Sequence, residues 1–480
     1  MAWEVIKVEF KRIRGNYLIL FEKVIELPVI ILGVIASIFL VKNFDYQAIM
    51  PLLFILLSPL SRLINYLFTF YTLEEDYLLV ESGVFTKKRT EIPFSTITTV
   101  DLSQNILFQL FKVYKIKVDN ASQTNDTANK SNIVLTLKID QAIQFKQIIT
   151  NGRINEVVIK AEEAEADIIH ALPQEFVKLG LLQSKFVYFL SILAVAGPFT
   201  GVIAPKFKDV FKDILVGGLI AAFIIIVYLL AVGMSLIKSV VTYYNFKVWT
   251  AGDSIKINYG LLNKKNFSLQ KRKINGIILK QSLLMRLCRL YSAEVIVIGY
   301  GDSTNEGEKE QALLFPIASF DRLQDIVGKV LPEYSLEYEL CKPEKRALRY
   351  FFFSPGFIFA LIVFTAAVIV SAAISNLIVS ACAVVFMIIC IIGILFKFGN
   401  SGISVNDRNI VLSSGGYHRR IAVIKTKSIE SITSTGSVFK RNRGVVSIKL
   451  GFIAPIRVSH ISSLNLPVKQ FDMLQGVLQY

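Results

Sequence analysis

Long uncharged runs alternate along this chain with stretches in which apolar and polar residues take turns, and the contrast predicts membrane segments in the first and soluble ones in the second. A bilayer core takes about 20 apolar residues as a helix. Between Arg349 and Lys397 lie 47 consecutive uncharged residues, room for two spans and a turn near 371–376. Residues 186–204 and 214–237 form a second uncharged pair, joined by a polar segment with Lys206, Lys208, Asp209, Lys212 and Asp213. A weaker pair comes first: residues 27–41 are short for a span, and the partner beginning at Ala48 carries Pro51, Pro59 and Arg62, the last placed to snorkel toward an interface near Tyr71. The expectation is an α+β membrane protein with six transmembrane helices in three hairpins, at 27–71, 186–237 and 350–396. Residues 1–26 include Glu4, Glu9, Lys11, Arg12 and Arg14, and no small-residue cleavage pattern follows, so 27–41 reads as an anchor and not a cleaved signal.

After each hairpin the pattern changes to short alternating segments. Residues 77–81 and 87–92, separated by a glycine turn, predict an antiparallel hairpin with one solvated face, and 97–102, 113–119 and 133–139 predict further strands. Residues 105–111 are apolar at helical spacing, which predicts a short helical turn between strands. Each segment closes on an amphipathic helix, at 141–150, 320–330 and 468–479, with Pro467 at the start of the last. About seven strands and one helix in about 100 residues predict a small sandwich or open barrel whose end the helix covers, the pleckstrin-homology (PH) architecture.

The three segments are copies of one another. Counting from Gly83 and Gly260, an isoleucine falls at +14 (Ile97, Ile274), a glutamine at +21 (Gln104, Gln281), leucines at +24 and +27, a base at +29 (Lys112, Arg289) and a tyrosine at +31 (Tyr114, Tyr291). The third copy, counted from Gly415, keeps Ile429 at +14 and has Phe439 at +24, but Gly436 replaces the glutamine. It has diverged most.

With Tyr71-Thr72-Leu73 after the first hairpin, a glycine turn, isoleucine at +14 and Gln104-Asn105 or Gln281-Ser282 at +21, the chain resembles the bacterial PH-like domain family. Three such modules on paired spans resemble the YdbT-type membrane proteins over nearly the whole length. The resemblance implies PH-like domains at 72–160, 238–335 and 397–480, with linkers at 161–185 and 336–349. It also implies cytoplasmic modules, a smaller single-module partner of the YdbS type, and for some relatives a role in resistance to membrane-active bacteriocins. It implies no catalytic residue and no cofactor.

Composition agrees with a lipid-facing chain: 53% of the residues are hydrophobic, 19% are charged, and mean hydropathy is positive at +0.53. The net charge is +16; the three hairpin turns are short and carry few charges, and residues 397–480 alone carry +9. The positive-inside rule therefore places both termini and the three large segments in the cytoplasm of a multi-pass membrane protein, and the resemblance implies a bacterial cell membrane. Cys288, Cys341, Cys382 and Cys390 have no paired spacing and read as free thiols.

Candidate chemistry is sparse. His170, His418 and His460 are scattered without metal-ligand spacing, and no phosphate-binding glycine loop or nucleophile elbow occurs. Ser268 and Lys271 form an isolated Ser-x-x-Lys inside a predicted strand, a chance match without its companion motifs. The acidic stretch 162–167 reads as a solvated linker helix. What stands out is basic: Lys271, Arg272 and Lys273 in the second copy, and Arg419, Arg420, Lys440, Arg441 and Arg443 in the third. These are the candidate contacts for anionic lipid or a partner, set against the plainer reading that bases beside spans only orient insertion. Nucleic acid is disfavoured, because no aromatic platform is interleaved with the bases. The sequence thus favours a non-enzymatic membrane protein whose modules serve binding or assembly at the lipid bilayer. The alternative is a pore or the membrane component of an exporter, which would need ionisable groups inside its spans.

Overall fold

The computed structural model describes residues 10–21, 63–84, 86–120, 132–151, 167–182, 214–297, 312–374, 377–406, 408–453 and 458–478. The chain divides into two compact units. The first comprises residues 1–168, 249–273 and 299–310, and the second 169–248, 274–298 and 311–480.

Among the described residues six strands form in each copy, where about seven were expected. The first copy contains β1 (Phe70–Leu73), β2 (Tyr77–Ser82), β3 (Lys88–Pro93), β4 (Ile97–Gln104), β5 (Val113–Asn120) and β6 (Asn132–Lys138), followed by the helix Ile139–Asn151. β7 (Ile169–His170) is a two-residue strand between copies. The second copy has β8 (Lys247–Ala251), β9 (Ser254–Tyr259), β10 (Lys264–Gln270), β11 (Ile274–Gln281), β12 (Leu290–Val297) and β13 (Ala312–Ser319), closed by the helix Phe320–Val330. The third has β14 (Gly402–Val405), β15 (Asn409–Ser414), β16 (Arg419–Lys425), β17 (Ile429–Thr435), β18 (Val445–Ile453) and β19 (Val458–Pro467), closed by Val468–Leu478. A short helix stands between the fourth and fifth strands of every copy, at Ile106–Leu110, Leu283–Leu287 and Val438–Arg441.

Alternation explains the core of the first copy. Leu78, Ile92, Val100, Leu102, Ile116, Val118, Leu135 and Leu137 point inward from β2 to β6, and Ala142, Phe145, Ile148 and Ile149 meet them from the closing helix at three- and four-residue spacing. All are buried. Phe10, from before the first predicted span, completes the cluster with its ring 6.0 Å from that of Phe145.

The copies are not closed modules. β1, β2 and β3 form one three-stranded antiparallel sheet, and β4 pairs not with β3 but with β10 of the next copy. Within the first unit the strand order runs β6-β5-β4-β10-β9. The same join recurs in the second unit, where β11 pairs with β16 in a six-stranded sheet ordered β13-β12-β11-β16-β15-β14. β17, β18 and β19 end the series as a three-stranded sheet. PH-like sheets are therefore present, but consecutive copies share them.

The six-span arrangement of three hairpins is overturned. Among the described residues only two helices are long and apolar enough to cross a membrane, Pro355–Ala373 and Val379–Asn400, with mean hydropathies of 2.5 and 3.0. Only 11% and 17% of these windows are buried, so their apolar side chains face outward, Phe359 and Ile369 among them. The first expected hairpin up to residue 62 and the span 186–204 lie outside the described residues. The expected span 214–237 belongs to a longer helix, Ile214–Tyr243, which takes a neighbouring helix along one side of its later turns while Ile226, Leu229, Met234 and Ile237 are exposed. That neighbour comes from the expected linker, part of which, Pro173–Leu182, is itself a helix. The Ser239 hydroxyl donates to the Phe176 carbonyl at 3.0 Å and that of Ser235 to the Gly180 carbonyl at 3.2 Å. Gly180 lets the backbones approach, since a Cβ there would lie 2.8 Å from Leu236 Cα.

Candidate functional site

The repeated residues turn out to be fold-determining. Gly83, Gly260 and Gly415 all adopt φ between 108° and 113°, and a Cβ at any of them would stand 1.9–2.1 Å from the carbonyl oxygen three residues on. Only glycine satisfies such a turn. The amides of Gln104 and Gln281 donate to the carbonyls of Val113 (2.9 Å) and Leu290 (3.1 Å), bridging the short helix. Asn105 and Ser282 cap that helix by accepting from the amides of Phe108 (2.8 Å) and Met285 (3.2 Å). The bases at +29, Lys112 and Arg289, sit at φ of 52° and 53°, and the third copy has Gly444 there at 66°. This left-handed position was legible in the third copy as a glycine and was masked in the other two by their charge.

The two joins between copies have one register. Gln104 lies opposite Lys264 and Gln281 opposite Arg419, so position +21 of one copy meets +4 of the next. Leu102 opposite Asn266 and Leu279 opposite Ile421 repeat the relation at +19 and +6. Side chains fasten each join. Gln109 donates to the carbonyls of Leu261 (3.2 Å) and Leu262 (2.8 Å), and Lys146 donates to the Asn266 side chain at 3.2 Å. Burial lowers the Lys146 pKa to about 8, with Asp101 opposing that shift. At the second join the Ser428 hydroxyl donates to the Asn275 side chain at 3.0 Å.

The predicted basic residues divide by environment. Arg419 and Arg420 belong to the backbone ladder of the second join, Arg419 half-buried with its Nε donating to Ser413 Oγ at 3.2 Å and Arg420 exposed. Lys273 donates to the Ile97 carbonyl across the first join, and burial, reinforced by Arg272, lowers its pKa to about 8. Arg272 is exposed and holds the Gln270 side chain at 3.3 Å, while Lys271 is half-buried with its backbone amide on the Asp253 carbonyl. Lys440 donates to the Asn465 side chain at 2.9 Å and lies 5.7 Å over the Tyr350 ring, and burial lowers its pKa. Arg441 and Arg443 are exposed beside it. The fold thus gathers Lys440, Arg441 and Arg443 on one short helix and its exit, and spends Lys273 and Arg419 on structure. Lys271, Arg272 and Lys273 lie in the first unit and the other five in the second.

The second unit fixes the third copy to the apolar helix pair. The Asn400 side chain at the end of Leu377–Asn400 donates to the carbonyls of Gly415 (2.9 Å) and Gly416 (2.8 Å), and the Ser413 hydroxyl donates back to the Asn400 carbonyl at 2.6 Å. The Tyr417 hydroxyl donates to the Ile389 carbonyl, and the ring lies against Gly393. Lys345, Arg346, Arg349 and Lys397 stand at the ends of the helices nearest this copy. An open groove of about 570 Å³ between Glu337–Cys341 and β14 contains none of the predicted cations. The four cysteines are unpaired, and among the described residues no group of three or more His, Cys, Asp or Glu is placed to hold a metal ion.

A series of PH-like sheets, every copy built on the same glycine turn and the first two on the same glutamine bridge, defines a protein of the PH superfold. Residues 24–153, 199–330 and 357–480 each match the Bacterial PH domain, and the chain belongs to that family. It is similar to the UPF0699 transmembrane protein YdbT of Bacillus subtilis (strain 168), with 24% identity over 311 residues that cover 61% of this chain. The match spans 62% of that relative's length.

Proposed function

We propose that this chain is a non-enzymatic integral membrane protein of bacteria whose linked PH-like copies form a binding and assembly surface at the membrane, on the cytoplasmic face. The observation that carries the reading is the attachment of the third copy to two apolar, outward-facing helices through Asn400, Ser413 and Tyr417. A helix pair locked to a folded domain at its basic end is suited to hold that domain against lipid headgroups, where each nearby cation contributes about 1 kcal/mol. Arg441 and Arg443, with Arg420 and Arg272, are the exposed cations of the predicted set and the ones assigned to anionic lipid. By resemblance to the PH-like family, such a surface would serve resistance to membrane-active bacteriocins, which a deletion strain challenged with such peptides would test.

The full chain is the object to test, because β16 of the third copy completes its sheet on β11 of the second. Membranes containing the protein are extracted with alkaline carbonate, and the protein is then placed in nanodiscs with and without phosphatidylglycerol for hydrogen exchange. Retention in the membrane, with protection at 438–443 that requires anionic lipid and is lost in Arg441→Ala/Arg443→Ala and in high salt, is expected. Release by carbonate would refute the membrane reading. Protection indifferent to lipid charge would refute the lipid assignment.

A further inference from the structure

We propose that the chain assembles head to tail with a second copy of itself, the exposed edge of β17 pairing antiparallel with the exposed edge of β3 of its neighbour. The inference deepens the assembly reading above and names the partner.

The chain makes this joint twice within itself. The strand at +14 to +21 of one copy, β4 or β11, pairs with the strand at +4 to +10 of the next, β10 or β16, in one register. Among the described residues two strands of the same kinds are left over: β17 in the third copy, which pairs only with β18, and β3 in the first, which pairs only with β2. Burial separates used edges from unused ones. β11 buries every residue but Lys280, and in β4 every described residue is buried except Ser103. No residue of β17 is fully buried, and four of its seven are exposed. In β10 and β16 three and four residues are buried, whereas β3 buries only Ile92.

An exposed strand edge is a template for another strand unless something blocks it. Lys87, Lys88 and Arg89 look like such a block. Yet Lys264 and Lys265 of β10, and Arg419 and Arg420 of β16, occupy the matching +4 and +5 positions of edges that are paired. Bases there are compatible with the joint. The opposing residues of β17 and its exit, Ser434, Thr435 and Gly436, are small and uncharged, so nothing in them repels the partner's cations. Pro93, at +10, lies outside the paired register of the first join, which ends at Leu269, the +9 position. Carrying the register over places Ser434 opposite Arg89, Thr433 opposite Thr90 and Ser431 opposite Ile92 of the neighbour. Because one chain carries both halves of the joint, the contact is heterologous and propagates until it closes on itself. These observations point to a second copy as the occupant, since no other partner is guaranteed to present the matching edge.

The test uses two differently tagged full-length chains co-expressed in one membrane, with Cys288, Cys341, Cys382 and Cys390 replaced by alanine. One chain carries Ser434→Cys and the other Arg89→Cys. Oxidation with copper phenanthroline should yield a disulfide-linked species containing both tags, at least tenfold above the off-register pair Ser431→Cys with Arg89→Cys. Each single variant should keep the parent's membrane yield and thermal midpoint, which shows that it is folded. Equal yields from the two pairs, or no product containing both tags, would overturn the proposal, as would capture of a different, smaller protein by Ser434→Cys. Alkaline carbonate extraction of the same membranes reports separately on the membrane reading. Protein that cross-links in register but is released by carbonate keeps this inference and refutes that one.

Discussion

Gly415→Ala should unfasten the third copy from the membrane helices while leaving the second copy's closing elements intact. At φ 113° an L side chain is strained, and the new Cβ would stand 1.9 Å from the His418 carbonyl oxygen, well inside contact distance. Holding the residue in a disfavoured backbone region costs about 1–3 kcal/mol. The obstructing atom is backbone within the same turn, so relief requires the hairpin between β15 and β16 to open. Opening displaces the Gly415 carbonyl from the Asn400 amide, removing a hydrogen bond worth about 1 kcal/mol net. A loss of about 3 kcal/mol in local stability corresponds to about a hundredfold increase in opening, by the tenfold-per-1.4-kcal/mol relation. Hydrogen exchange followed by mass spectrometry should show that loss of protection across 409–425. Peptides from 320–330, in the second copy's closing helix, should change little. Gly416→Ala is the control: its Cβ would lie 3.3 Å from the Gly393 carbonyl oxygen, and it carries no positive-φ penalty, so protection should fall much less. If Gly415→Ala keeps protection within threefold of the parent, the assignment of a glycine-only turn is wrong, and with it the physical meaning given to Gly83 and Gly260.

Other expectations follow from the same contacts. Gln281→Leu leaves the Leu290 carbonyl without its donor in a buried place and should cost about 1–3 kcal/mol in chemical denaturation, whereas Asn263→Ala in an exposed turn should cost little. Gly180→Val should separate the helices Pro173–Leu182 and Ile214–Tyr243, because the nearest obstruction is the Leu236 backbone; a fall in thermal midpoint, with faster proteolysis at 173–182, is the check. Lys146 has a pKa lowered in the folded state to about 8 from 10.5, so the unfolded chain binds more protons between those values and stability rises with pH across that window. The thermal midpoint of the parent relative to Lys146→Met should therefore shift in the parent's favour between pH 7.5 and 10; a difference independent of pH would refute the burial of a charged amine at the first join.

Much of each copy was written locally. Alternation at 77–81, 113–119 and 133–139 located strands to within a residue or two, and the closing helix at 320–330 was read with its full extent. Those segments have strong periods and their own caps, so neighbours had little to add. The glycine and glutamine ladder was visible as recurrence, but its meaning was not. A glutamine that bridges a short helix and one that binds a ligand look alike until the carbonyl of Val113 is seen beneath Gln104. The basic clusters were visible in the same way, but a charge count does not say whether a lysine ends in solvent or, like Lys273, on the carbonyl of Ile97 in the preceding copy.

By itself, then, the sequence determined the number of copies, their strands and helices, and the apolar pair at 350–396, because each depends on residues near one another along the chain. It did not determine which strand edges meet. Strand pairing is made by backbone amides and carbonyls that every residue carries, so no side-chain pattern marks β4 for β10 or β11 for β16. Nor did hydropathy show that Ile214–Tyr243 takes the helix Pro173–Leu182 against its later turns, where Ser235 and Ser239 bind the backbone of Gly180 and Phe176. Both were tertiary decisions: they turn on what lies across the gap, a distance of a few ångströms in space and of 142 residues in the chain between Leu279 and Ile421.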